Sequence, residues 1–206
     1  NDSYSLNKLF TFRKGTKWSQ LSHCNIYVSS TVIKLVVVDM CGKFSVFESK
    51  NTAKIEFNKV KLKFESFYDP AELSNFKKSE WIDENRLILF SRTQLHEYRL
   101  AALKEEKFFC RISAGIWSKL LDVVPSIRNK SMLYILTTKE IILVDVSKSF
   151  KRKFAWKHYF TDLDTSLYLT IAKNPKSETE TCIVASRQVS IKYALTVDIN
   201  CCIILN

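Results

Sequence analysis

Three segments of this chain repeat one pattern at nearly constant spacing. LILFSRTQLHEYRL (87–100), LYILTTKEIILVDV (133–146) and IVASRQVSIKYAL (183–195) each hold an apolar strand, a Ser or Thr, polar residues and a second strand. The anchors Ser91, Thr137 and Ser186 stand 46 and 49 residues apart. A weaker copy, LVVVDMCGKFSVFES (35–49), carries Asp39 at the anchor, 52 residues before Ser91. A hairpin recurring every roughly 40–50 residues is the signature of propeller blades. A β-sandwich has turn signals every about 8–12 residues and no such longer period.

The apolar runs agree. VIKLVVVDM (32–40), RLILFS (86–91), MLYILTT (132–138), KEIILVDV (139–146), YLTIA (168–172), CIVAS (182–186) and CCIIL (201–205) are short and rich in β-branched residues, as strands are. Helical signal is scarce. PAELSNFKKSEW (70–81) admits one helical turn after Pro70, and AALKEEK (101–107) reads as helical by propensity or as an extended hairpin loop. KFFCRISA (107–114) and KFAWKHYF (153–160) each follow a hairpin and read as fourth, outer strands. The expectation is an all-β chain: a β-propeller portion over 1–206 with about four WD-like blades. The inner hairpins are expected at 32–49, 86–100, 132–146 and 182–195. CCIIL at 201–205 reads as the start of a further unit, so the four blades are expected to belong to a larger ring.

Chemistry-bearing patterns are few. Only three glycines, Gly15, Gly42 and Gly115, occur in 206 residues, where ordinary usage gives about 14. They lie too far apart for a phosphate-cradling loop or a nucleophile elbow. The six cysteines include no C-x-x-C pair, and the three histidines stand singly, so neither a metal nor another cofactor is expected. The thiols read as reduced and mostly buried, in an intracellular protein. No apolar run approaches the ~18 residues of a membrane helix, and no membrane role is expected. Asp162 and Asp164 form a D-x-D in TDLDTS (161–166), a pattern shared by cation sites and by turns in which Asp binds the local backbone; the turn is the expected reading.

Charge is uneven. The net charge is +11. From Ser147 to Phe160 there are five basic residues, Lys148, Lys151, Arg152, Lys153 and Lys157, and no acid. They alternate with Phe150, Phe154, Trp156, Tyr159 and Phe160. Such interleaving suits a nucleic-acid or acidic-partner surface, and equally an outer strand with Phe154, Trp156 and His158 inward and Lys153, Lys157 and Tyr159 outward. The strand reading is favoured, and its solvated face remains available to a partner.

Residues 133–171 resemble a known family, the propeller-containing largest subunit of the yeast RNA polymerase I core factor and its animal relative, a TATA-binding-protein-associated component of the selectivity factor. The residues that carry the likeness are Thr137, Thr138, Ile141, Ile142 and Asp145, then Trp156, Lys157 and His158, then Asp162, Asp164, Ser166, Leu167 and Leu169. The resemblance implies a propeller and a non-enzymatic scaffold in the nucleus and nucleolus. It implies a TFIIB-like subunit and a helical-repeat subunit as companions, with RNA polymerase I, TATA-binding protein and ribosomal promoter DNA as further partners. DNA contact is either direct or through the companions. It also implies that Trp156, His158, Asp162 and Asp164 are structural. The alternative is a propeller scaffold of another nuclear complex, an RNA polymerase III factor or a ribosome-biogenesis complex.

Overall fold

A computed structural model describes residues 20–52, 55–63, 65–67, 74–100, 106–110, 118–147, 150–173, 175, 179–188, 192–198 and 204–205. Among them are sixteen strands and no helix. The first sheet holds β1 (Leu21–Val28), β2 (Val32–Asp39), β3 (Phe44–Lys50) and β4 (Asn58–Lys59). The second holds β5 (Lys77–Asp83), β6 (Arg86–Ser91), β7 (Leu95–Arg99) and β8 (Glu106–Cys110). The third holds β9 (Leu120–Pro125), β10 (Met132–Thr137), β11 (Glu140–Asp145) and β12 (Lys151–Lys157). The fourth holds β13 (Tyr168–Lys173), β14 (Thr179–Ala185), β15 (Lys192–Asp198) and β16 (Ile204–Leu205). In each sheet sequential strands lie side by side, and the recorded pairs are antiparallel. Two compact units divide the chain, residues 1–79 and 80–206.

In the first three sheets the second strand carries a continuous buried apolar run. Val36, Val37 and Val38 of β2, Leu87, Ile88 and Leu89 of β6, and Leu133, Tyr134, Ile135 and Leu136 of β10 are fully buried. Neighbouring residues on a strand point to opposite faces, so such runs mean both faces are covered. Each such side chain contributes roughly 1.5–3 kcal/mol of burial free energy.

The repeating anchors have a common physical cause. Each ends a second strand and caps the turn to the third by accepting backbone N–H groups. Thr137 Oγ1 accepts from Lys139 N at 3.2 Å and Glu140 N at 3.0 Å, and donates to the Glu140 carbonyl at 3.0 Å. Ser91 Oγ accepts from Gln94 N at 3.3 Å, and Ser186 Oγ from Gln188 N at 3.0 Å. Asp39 Oδ1 accepts from Cys41 N at 2.9 Å and Lys43 N at 2.8 Å. Its turn is one residue longer and passes through Gly42 at φ 81°, a left-handed position that favours glycine. A second series caps the turn after the first strand: Ser29 Oγ accepts from Val32 N, Asp83 Oδ1 from Asn85 N and Ser126 Oγ from Asn129 N.

Two expectations need correction, and two others fall mainly outside the described residues. The repeated hairpins are the middle pair of each four-stranded sheet, not its inner pair. CCIIL does not open a new unit: Ile204–Leu205 pairs with β15 as the fourth strand of the last sheet. The helical turn expected after Pro70 falls on 70–73, outside the described residues; from Lys77 the stretch is strand, because Lys77, Ser79 and Trp81 alternate into the interior with period two. Glu106 and Lys107 likewise begin β8, while 101–105 lie outside the described residues.

Within the second unit, polar groups bridge adjacent sheets. Arg86 of β6 sends Nη1 to the Lys130 carbonyl and Nη2 to the Val146 carbonyl, each at 3.4 Å. Its Nε meets Glu97 Oε1 at 2.7 Å, and Arg99 Nε meets the same oxygen at 3.2 Å. At the other end of β6, Arg92 Nη1 donates to the Leu120 carbonyl at 3.0 Å, and Leu120 N donates to the Arg92 carbonyl at 2.8 Å. Between the third and fourth sheets, Glu180 is fully buried. Its Oε1 accepts from Ser126 Oγ at 3.0 Å and Arg128 N at 2.6 Å, and its Oε2 from the Tyr134 hydroxyl at 3.1 Å. Around it Leu121, Tyr134, Leu136, Ile141, Leu143 and Trp156 pack against Leu167, Leu169, Cys182 and Val184.

Candidate partner interface on the basic strand

The basic cluster folds into β12, the edge strand of the third sheet. Among the described residues β12 pairs only with β11, from Glu140↔Lys157 to Asp145↔Lys151. The register shifts between Leu143↔Phe154 and Val144↔Arg152, so Lys153 is the extra residue of a bulge. Phe154 and Trp156 turn inward, their rings stacked with centroids 5.8 Å apart, and join the core shared with the fourth sheet. The Trp156 indole N–H is buried with no partner among the described residues, an orphan donor that costs about 1–3 kcal/mol. Lys151, Arg152, Lys153 and Lys157 are exposed, as an amphipathic outer strand requires. Lys148 lies outside the described residues.

The exposed cations are unequal. Arg152 Nη2 lies 3.3 Å from Glu140 Oε2, and Lys153 Nζ lies 3.4 Å from Asp145 Oδ2. The Ser147 hydroxyl and N–H, aided by Lys153, hold the Asp145 carboxyl below its usual range. Lys151 and Lys157 stand opposite Asp145 and Glu140 in the strand register, but among the described residues no ion pair within 4 Å joins them. The two lysines are six residues apart, roughly 20 Å along an extended strand. Lysines and a bulge on an open edge also blunt pairing with another sheet, so part of this cluster's role is local protection.

The segment after β12 is held by buried polar groups. The His158 ring is buried; Nε2–H donates to the Thr137 carbonyl at 3.0 Å and Nδ1 accepts from Phe160 N at 3.2 Å. This pair fixes the neutral tautomer. Burial, outweighing the Thr137 carbonyl and nearby acids, pushes the His158 pKa below its usual 6.5. Asp164 is buried: it accepts from Ser166 N at 2.8 Å and from the hydroxyls of Ser166 and Ser186, each at 2.6 Å. Burial opposes its ionisation, but these donors win and keep the carboxyl below its usual range. Asp162 instead lies on the surface, 3.6 Å from Lys139. The two aspartates do not converge. The D-x-D works as a turn, and Asp164 ties that turn to the Ser186 anchor.

Two exposed apolar side chains sit on the same segment. Tyr159 is 84% exposed and Leu163 is 87% exposed. Tyr159 has φ 59°, and Phe150, at the other end of β12, has φ 40°. Both are uncommon for bulky residues.

The sequence reading missed the Glu180 network. Its one local signal is a carboxylate at an inward position of a strand. Cys182 beside it is buried and its thiol is pushed up by burial, whereas Cys24 and Cys41 are exposed; the side chains of Cys110, Cys201 and Cys202 lie outside the described residues. Tyr134 is also pushed up, chiefly by burial and then by Cys182 and Glu180. No group of three or more potential metal ligands occurs among the described residues.

The Rrn6 β-propeller family model matches residues 26–200. The chain belongs to the Rrn6 β-propeller family. Its third sheet, basic edge, Asp164 turn and Glu180 network all lie within the matched span. A curated relative, "RNA polymerase I-specific transcription initiation factor RRN6" of Saccharomyces cerevisiae, is 27% identical over 154 residues, covering 70% of this chain and 16% of that protein. The crystal structure of S. cerevisiae core factor contains a chain with the same fold, at TM-score 0.54 and 15% identity, over 87% of this chain and 39% of that one. The resemblance carried by residues 133–171 thus extends across most of the chain, while the chain itself spans a small share of its full-length relative.

Proposed function

We propose that this propeller is the non-enzymatic scaffold portion of an RNA polymerase I initiation factor. The observation that carries the reading is the family match over 26–200, together with the relative named as a polymerase I-specific initiation factor. The propeller serves as a platform in the nucleus, and in the nucleolus within it. It joins a TFIIB-like subunit and a helical-repeat subunit in an assembly that works with TATA-binding protein, holds the ribosomal core promoter and recruits RNA polymerase I. The platform needs no metal or other cofactor. The buried carboxylate, phenol and thiol face one another inside the fold, which suits a structural role. With Arg152 and Lys153 already beside acids, the companions grip the promoter DNA and the basic strand meets a partner.

The test is purification of the tagged full-length protein from nuclear extract. The expected companions are a TFIIB-like protein and a helical-repeat protein that together support transcription from a ribosomal promoter. Recovery of RNA polymerase III factors or ribosome-biogenesis proteins in their place would overturn the reading. Reversing Lys151, Arg152 and Lys153 to glutamate should leave promoter affinity of the purified assembly within about twofold across salt. A steep, salt-dependent loss would instead place these residues on phosphate.

A further inference from the structure

We infer that the open edge of β12, with Tyr159 and Leu163 at its end, docks an acidic, extended polypeptide segment of a partner protein. This rests on the platform reading and names the surface and partner chemistry. Three observations converge. First, β12 is the last strand of its sheet, and its outward backbone groups meet no strand among the described residues. Such an edge accepts an added strand, and the run from Phe154 to Lys157 keeps regular register past the bulge.

Second, the guards on that edge are selective. Lys151 and Lys157 repel a second copy of this same basic edge, yet attract a segment carrying Asp or Glu. Third, the end of the edge presents apolar anchors in a fixed pose. His158 and Phe160 are tied inward on either side of Tyr159, which forces its ring outward at a left-handed backbone position. Leu163, four residues on and also exposed, lies in a turn closed by Thr161, whose carbonyl accepts from Asp164 N. Rigidly displayed tyrosine is a frequent binding anchor, because little freedom is lost on docking. A left-handed backbone held at a ring that is largely exposed among the described residues points to a role outside its own packing. Duplex DNA offers phosphates to the lysines but nothing to Leu163 or to a strand edge. The observations therefore favour protein.

The probe is a short fluorescein-labelled peptide alternating glutamate and valine, titrated into the full-length protein and read by fluorescence anisotropy. Beside it run its lysine-for-glutamate counterpart, an acidic version N-methylated on alternate backbone nitrogens, and a short DNA duplex. The acidic peptide should bind, and N-methylation should weaken it by about tenfold or more by blocking strand addition. The joint change Tyr159→Ala and Leu163→Ala should weaken binding about tenfold with an unchanged melting temperature. Lys157→Glu should weaken the acidic peptide and admit the lysine peptide. Absent acidic-peptide binding, equal binding after N-methylation, or duplex binding that depends on Lys151 and Lys157 would overturn the inference. Peptide binding by a protein that co-purifies with no polymerase I factor would sink the scaffold reading alone. The reverse outcome would sink this surface alone.

Discussion

Between the second and third sheets the bridging groups are arginines; between the third and fourth the central group is a carboxylate. The arginine seam works from the two ends of β6. Arg86 and Arg92 donate to carbonyls of the next sheet, and Arg86 keeps 18% of its side chain in water. Such contacts are partly replaceable by solvent. Glu180, by contrast, is sealed in and holds three donors at once, Ser126, Arg128 N and Tyr134. Losing it leaves the Ser126 and Tyr134 hydroxyls without this acceptor and Arg128 N with only Ser126 Oγ at 3.2 Å, and a buried unmade hydrogen bond costs more than a made one contributes. The comparison also reframes the +11 charge. Arg86, Arg92 and Arg99 serve the fold from within, so net charge overstates what is offered to a partner.

The largest effect is expected at the carboxylate seam. Glu180→Ala should lower unfolding free energy by about 3 kcal/mol in urea titration, since it combines a cavity with stranded donors. Glu180→Gln, which keeps acceptor and volume, should cost about 1 kcal/mol. Equal losses in the two variants would mean that the carboxylate is not the organising group. The arginine seam should be milder: Arg86→Met, which leaves Glu97 its contact with Arg99, should cost about 2 kcal/mol. A loss exceeding that of Glu180→Ala would invert the comparison.

Next in size is a pH effect just after β12. The folded state holds His158 neutral with a pKa below 6.5, so the unfolded chain takes up the proton first as pH falls. Its stability is full above 6.5 and declines as pH drops through 6.5 toward the lower folded value. His158→Gln should flatten the stability profile in that window; an unchanged slope would place the titration elsewhere. The smallest effect lies outside both seams. Tyr159→Gly should cost no more than about 0.5 kcal/mol, because it relieves a left-handed residue and removes only exposed area. A larger loss would show that the ring packs within the fold.

The hairpins were legible because their determinants are local. Ser91, Thr137 and Ser186 must each offer a side-chain oxygen to N–H groups two or three residues on, and that demand leaves a trace at fixed spacing. The amphipathic β12 and the Asp164 turn were legible for the same reason. The seams were not. Ser126 and Glu180 are 54 residues apart, and Arg86 and Lys130 are 44 apart, so no local pattern couples them. β5 was hidden because its inward positions include Lys77 and Ser79, which mimic surface residues. The middle hairpins passed for inner ones because first strands such as LSHCNIYV mix polar groups with apolar ones.

The central claim is that this propeller is a platform whose outer edge meets a partner while its seams stay fixed. Hydrogen–deuterium exchange on the full-length protein, free and within its purified initiation assembly, tests it most directly. The account predicts slowed exchange at 151–164 on assembly, with the amides around Ser126 and Glu180 equally protected in both states. Protection gained at those seam amides, with none at 151–164, would contradict it.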